Sequence, residues 1–187
     1  KLCDKIWETS KTVKLQPISK EFNFSDLQPV TIHFDGTMDK RSVAQGRSYS
    51  MQMFKAEPGD LVVSKIDLKN GAVGIIPNKW ENVAVTGHFA VYSAKRFRVY
   101  AEWIHRVIQQ PDFKEFLWRH KVGAEGRKEV KLDLFESIKI PIPNLEIQMK
   151  ILDHKQHIID EIERLKRKLM IAESQVNKMI HGELSNE

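Results

Sequence analysis

One cysteine, Cys3, stands in 187 residues. An internal disulfide framework and a cysteine-based zinc cluster are both excluded. Long hydrophobic runs are missing too. No apolar stretch reaches the roughly 20 residues that cross a bilayer as a helix, and no signal-peptide pattern opens the chain. A reducing, cytoplasmic setting with no membrane partner is the expectation. Internal repeats and low-complexity tracts are absent. What is there, 41% hydrophobic and 29% charged residues, describes a globular protein. The chain opens on Lys1 rather than Met, as a fragment of a longer protein would.

The apparatus of common enzymes is lacking as well. There is no Walker phosphate loop, dinucleotide glycine fingerprint, nucleophile-elbow serine or His-Glu-x-x-His. The seven histidines are scattered. His154 and His157 share a helix face, but no carboxylate completes a metal site with them. No cofactor of its own is expected.

Positive charge is present in excess and is unevenly placed. The net charge is +5, yet residues 144–187 hold 7 Lys/Arg against 8 Asp/Glu, so residues 1–143 carry +6. A basic globular region favours polyanions, because binding them releases counterions.

The texture changes at Ile140-Pro141-Ile142-Pro143-Asn144. Alternating prolines forbid a helix and favour an extended approach. Asn144 then suits a helix cap, with Glu146 in the positive first turn. A domain boundary is expected here, with residues 1–143 globular and residues 144–187 one long helix. Ile158, Ile162, Leu165, Leu169, Ala172, Val176 and Met179 follow in alternating steps of four and three, with Ile151 one heptad earlier. That is a narrow coiled-coil seam. A helix from Glu146 to His181 spans about 54 Å and cannot bury such a seam on itself.

The N-terminal part reads as α+β. Strands are expected at Pro29–His33, Met51–Phe54, Asp60–Ile66, Ala72–Ile76, Asn82–Thr86 and Phe89–Tyr92. Asp67-Leu68-Lys69-Asn70-Gly71 is expected to join the two central strands, with Asn70-Gly71 as the turn signal because both residues tolerate positive φ. Helical spacing runs from Tyr100 to Gln110, and Pro111-Asp112 opens a second helix whose Phe113, Phe116 and Leu117 read as core.

Candidate contacts to DNA follow from residue type and setting. Gly123, Gly126, Arg127 and Lys128 form a loop able to approach a phosphate. Ser64 and Lys65 sit within the first hairpin strand, and Lys69 and Asn70 at its tip. Thr86-Gly87-His88 is a polar break, Lys95, Arg96 and Arg98 form a short basic cluster, and Arg41 and Arg47 flank a loop. Asn and Lys side chains hold phosphates or read base edges. A competing pattern, Asp112 with Glu129 and Lys131, satisfies a loose Mg²⁺ nuclease signature whose carboxylates belong on adjacent strands.

Two stretches resemble a known family when taken together. One is Pro58-Gly59-Asp60-Leu61-Val62-Val63-Ser64-Lys65-Ile66 with Gly71-Ala72-Val73-Gly74-Ile75-Ile76-Pro77. The other is Phe135-x-x-Ile138-x-Ile140-Pro141-Ile142-Pro143-x-Leu145-x-x-Gln148-x-x-Ile151, entering the heptad helix that closes at Gly182-Glu183-Leu184. Their order and spacing resemble one half of the specificity subunit of type I restriction–modification enzymes. Asn144 and Ile147 depart from the family's usual Pro and Glu. The resemblance implies a non-catalytic reader of one half of a bipartite double-stranded DNA target. It implies a long helix paired antiparallel with that of a second recognition half or a second copy. Methyltransferase subunits and a restriction/translocase subunit would dock alongside. Two other readings are a stand-alone Mg²⁺ nuclease and a coiled-coil adaptor without DNA specificity.

Overall fold

Two four-stranded sheets carry most of the apolar core. The computed structural model describes residues 3–12, 14–15, 17–18, 26–42, 51–123 and 128–184. The chain divides into two units, Lys1–Gln148 and Met149–Glu187.

In the first unit the strands are β1 (Cys3–Lys5), β2 (Ser10–Thr12), β3 (Gln28–Ile32), β4 (Met38–Lys40) and β5 (Met53–Lys55). They continue with β6 (Leu61–Ser64), β7 (Val73–Ile75), β8 (Val83–Thr86), β9 (Phe89–Ala94) and β10 (Lys139–Pro141). One sheet has the order β2-β9-β6-β7 and the other β4-β3-β8-β5. All pairings are antiparallel except β3 with β8. Consecutive strands β8 and β9 belong to different sheets, so Gly87-His88 is where the chain changes layer. Val30, Val83 and Val85 of one sheet meet Val62 and Val91 of the other, with Ala56, Ile76 and Trp80 completing the cluster. A small pair, β1 with β10, joins the start of this unit to its end through Cys3 opposite Pro141.

Short helices cover the edges. They are α1 (Ile6–Thr9), α2 (Ala101–Ile108), α3 (Pro111–Arg119) and α4 (Leu132–Ser137). α2 buries Trp103, Ile104 and Ile108 on one stripe and lies against β7 and β10. Pro111 occupies the first helical position of α3, where its missing N–H costs nothing. Of the three α3 residues expected in the core, only Leu117 is fully buried; Phe113 is half-buried and Phe116 is exposed.

The strand-to-helix passage is built as the prolines dictate. Helix α5 (Leu145–Leu184) begins after Asn144, whose side-chain oxygen accepts the Ile147 N–H at 2.9 Å. Gln148, fully buried, ties the first turn to its own unit. It accepts the Tyr100 N–H and donates to the carbonyls of Arg98 and Pro143. The second unit is the remainder of α5. Its seam residues Ile151, Ile158, Ile162, Leu165, Leu169, Val176 and Met179 are 45–68% exposed, and Ala172 is exposed with them. Among the described residues no helix is long and apolar enough to cross a membrane.

Candidate nucleic-acid interface

The connection from β6 to β7 is held tightly by its own hydrogen bonds. Asp67 donates its N–H to Ser64 Oγ at 3.2 Å and accepts the N–H groups of Asn70 and Ala72 on its carbonyl. Leu68–Asn70 form a 3-10 turn with Leu68 completely buried. Only Gly71 takes positive φ, at 84°, while Asn70 stays in the turn. The Asp67–Gly71 connection is wound around a buried leucine anchor and the Asp67 oxygens.

This turn settles where several candidates point. All four residues of β6 are buried, and the hydroxyl of Ser64, a candidate DNA contact, accepts the Asp67 N–H within the turn. Asn70 donates its side-chain amide to Asp67 Oδ1 at 3.2 Å. Lys65 is half-buried, Ile66 is 49% exposed and Lys69 is half-buried.

Hydrogen bonds join the turn to two neighbours and make one rim. On one side, Lys65 donates its N–H to the His88 carbonyl and its ammonium to the Gly87 carbonyl at 2.7 Å. Exposed His88 and half-buried Thr86 therefore sit beside Lys65. On the other side, the Lys69 ammonium donates to the Lys128 carbonyl at 2.6 Å. Val122 and Glu129 exchange backbone hydrogen bonds and close the base of the loop between them. Gly87-His88, Lys65, Lys69 and Lys128 thus follow one another along one end of the β6-containing sheet.

Lys121 joins this rim, although nothing in the sequence reading selected it. Its pKa is pulled down by partial burial and by the neighbouring charges of Lys128 and Lys69. The Lys121 ammonium lies 2.9 Å from the Trp118 ring centroid. Trp118 is 51% exposed, and Phe116 stacks on His120 with ring centroids 4.0 Å apart. The signal was present in Phe116-Leu117-Trp118-Arg119-His120-Lys121. With Leu117 inward, a helix places residues 116 and 118 on its two flanks.

Other candidates lie elsewhere. Arg41 is exposed just after β4, its N–H donated to the Pro29 carbonyl in the other sheet. Arg47 and Arg127 lie outside the described residues. Of the nuclease trio, Asp112 sits in the first turn of helix α3, not on a strand beside Glu129. Glu129 is ion-paired to Lys131 at 2.6 Å, which holds its carboxyl below the usual range. The adjacent-strand carboxylates of the nuclease pattern are not what these residues form.

Residues 49–172 match the model of the type I restriction modification DNA specificity domain. No curated protein matches the sequence. Among solved structures, the HsdS subunit from Thermoanaerobacter tengcongensis is similar with a TM-score of 0.65 at 14% identity. That match covers 88% of this chain and 43% of the other. A structure describing complex assembly and conformational transition of the type I R-M system is similar with a TM-score of 0.57 at 16% identity. It is matched over 95% of this chain and 43% of its own. The chain therefore spans less than half the length of these solved relatives.

Proposed function

The chain belongs to the type I restriction modification DNA specificity domain family, and from that premise we propose that it reads one half of a bipartite duplex-DNA target. The observation that carries this reading is the hydrogen-bonded basic rim along one end of the β2-β9-β6-β7 sheet. Residues 1–143 act as the reader and residues 144–187 as the spacer helix. Lys65, Lys69, Asn70, Thr86, His88 and Lys128 face the DNA, and Arg41, Arg47 and Arg127 add phosphate contacts. The rigid turn matters because a preformed surface loses less entropy on binding. Phosphate contacts fix orientation, while groups entering the groove discriminate bases.

The chain does no chemistry and holds no cofactor in this reading. Methyltransferase subunits supply methyl transfer and a restriction/translocase subunit supplies ATP-driven cleavage, all in the cytoplasm. The exposed heptad seam of α5 packs antiparallel on the helix of a second recognition half or a second copy. It fixes the distance between two half-sites.

Selection from a randomised duplex library tests the proposal, with Mg²⁺ present and with and without a methyltransferase subunit. Enrichment of one short sequence, with no strands cut, is the expected result. No enrichment even with the methyltransferase would leave the adaptor reading, and strands cut by the chain alone would restore the nuclease.

A further inference from the structure

We infer that the outer face of α3, with Lys121, extends the rim past Lys128 as a part that grips the phosphate backbone of the duplex without reading its sequence. The inference rests on the function proposed above and assigns this task to the Lys69, Lys121 and Lys128 end of the rim.

Charge is the first argument. Lys69, Lys121 and Lys128 are brought together by the Lys69–Lys128 hydrogen bond and the Val122–Glu129 pairing. Their mutual repulsion, after partial burial, depresses the Lys121 pKa. Among the described residues none of the three takes part in an ion pair, and the nearby Glu129 carboxylate is engaged by Lys131. Glu129 offsets part of the Lys69 charge as well, and a polyanion relieves what the three lysines keep.

Side-chain chemistry is the second. Lysines are point charges suited to phosphate, whereas base edges are read best by the flat forks of Arg, Asn and Gln. No such fork belongs to the lysine group. Trp118 and Phe116 leave their rings in solvent, with Lys121 over one and His120 stacked on the other. Flat apolar rings next to cations match a backbone that alternates deoxyribose with phosphate. Asp112 and Glu115 are the acids of α3, both exposed, and Arg119 pairs with Glu115.

Rigidity is the third. Buried Leu117 anchors α3, and the helix packs on the Leu68–Asn70 turn. The face is thereby fixed relative to the rim, so a backbone held here sets the register in which the rim meets the bases.

Binding of the full chain to two short duplexes, one with its selected sequence and one scrambled, separates the outcomes. Lys121→Gln, and the triple Lys69→Gln/Lys121→Gln/Lys128→Gln, should weaken both duplexes by the same factor. The slope of log affinity against log salt should fall by about 0.9 per lysine removed. Lys121→Arg should restore the slope, which a mere folding defect would not allow, and Trp118→Ala should weaken both duplexes equally. An unchanged slope, or a loss confined to the selected sequence, overturns the inference. If the wild type shows no sequence preference while the scrambled-duplex slope still falls, the backbone grip stands and the proposed function fails. If preference is present and Lys121→Gln keeps the wild-type slope, the function stands and the grip fails.

Discussion

Gln148 shows how a single amide fixes a junction. Its Oε1 accepts the Tyr100 N–H at 3.1 Å, and its Nε2 donates to Pro143 at 2.7 Å and Arg98 at 3.2 Å. Gln148→Leu keeps the volume but strands a backbone donor and two carbonyls. The expected loss is about 1–3 kcal/mol, read as a lower urea midpoint with unchanged slope. Asp60 works in the opposite sense. Burial raises its carboxyl above the usual range, against the opposing hydrogen bond from the Glu57 N–H. The folded state therefore prefers the protonated acid, and stability is lost as pH rises through the raised value. Asp60→Asn keeps an acceptor and never ionises. Its stability relative to wild type should rise from acid toward neutral pH in paired thermal melts. A constant difference across that range would show that burial of the charge is not the cause.

Elements were legible in proportion to their length and pattern. The heptad of α5, the apolar runs of β6 and β7, and the stripe of α2 lie in the sequence because each repeats its own period. β1, β2, β4 and β10 are three residues each, too short for any alternation. β1, β2 and β10 are strands because a distant partner offers hydrogen bonds, and β4 because β3 lies across a short turn from it. A strand buried on both faces, as β6 is, shows no alternation that would mark the inward position of Ser64. Lys65, Lys69 and Lys128 could be named from sequence and Lys121 could not, and their order along one edge depends on Lys65 reaching Gly87 and Lys69 reaching Lys128. Two substitutions test the elements. Ile76→Ala, in the core between the sheets, should cost about 2–5 kcal/mol by chemical denaturation. Leu165→Glu with Leu169→Glu should abolish helix-mediated association in sedimentation while leaving the melting of the first unit unchanged. Retained association would place the contact elsewhere.

At the scale of the molecule, the first unit borrows its last hydrogen bonds from the start of α5. A chain ended after Lys155 keeps the Asn144 cap and Gln148, whereas one ended after Pro143 loses both. The longer fragment should melt at the higher temperature, and equal melting would show that the junction contributes nothing. The closing pair of strands has a consequence in time. Cys3 faces Pro141 and Lys5 faces Lys139, so β1 needs residues synthesised nearly at the end of its unit. At ~5–20 residues per second on the ribosome, that wait is on the order of ten seconds. Until it ends, β1 travels as an open edge among other nascent chains, and the unit closes only once translation has passed the prolines.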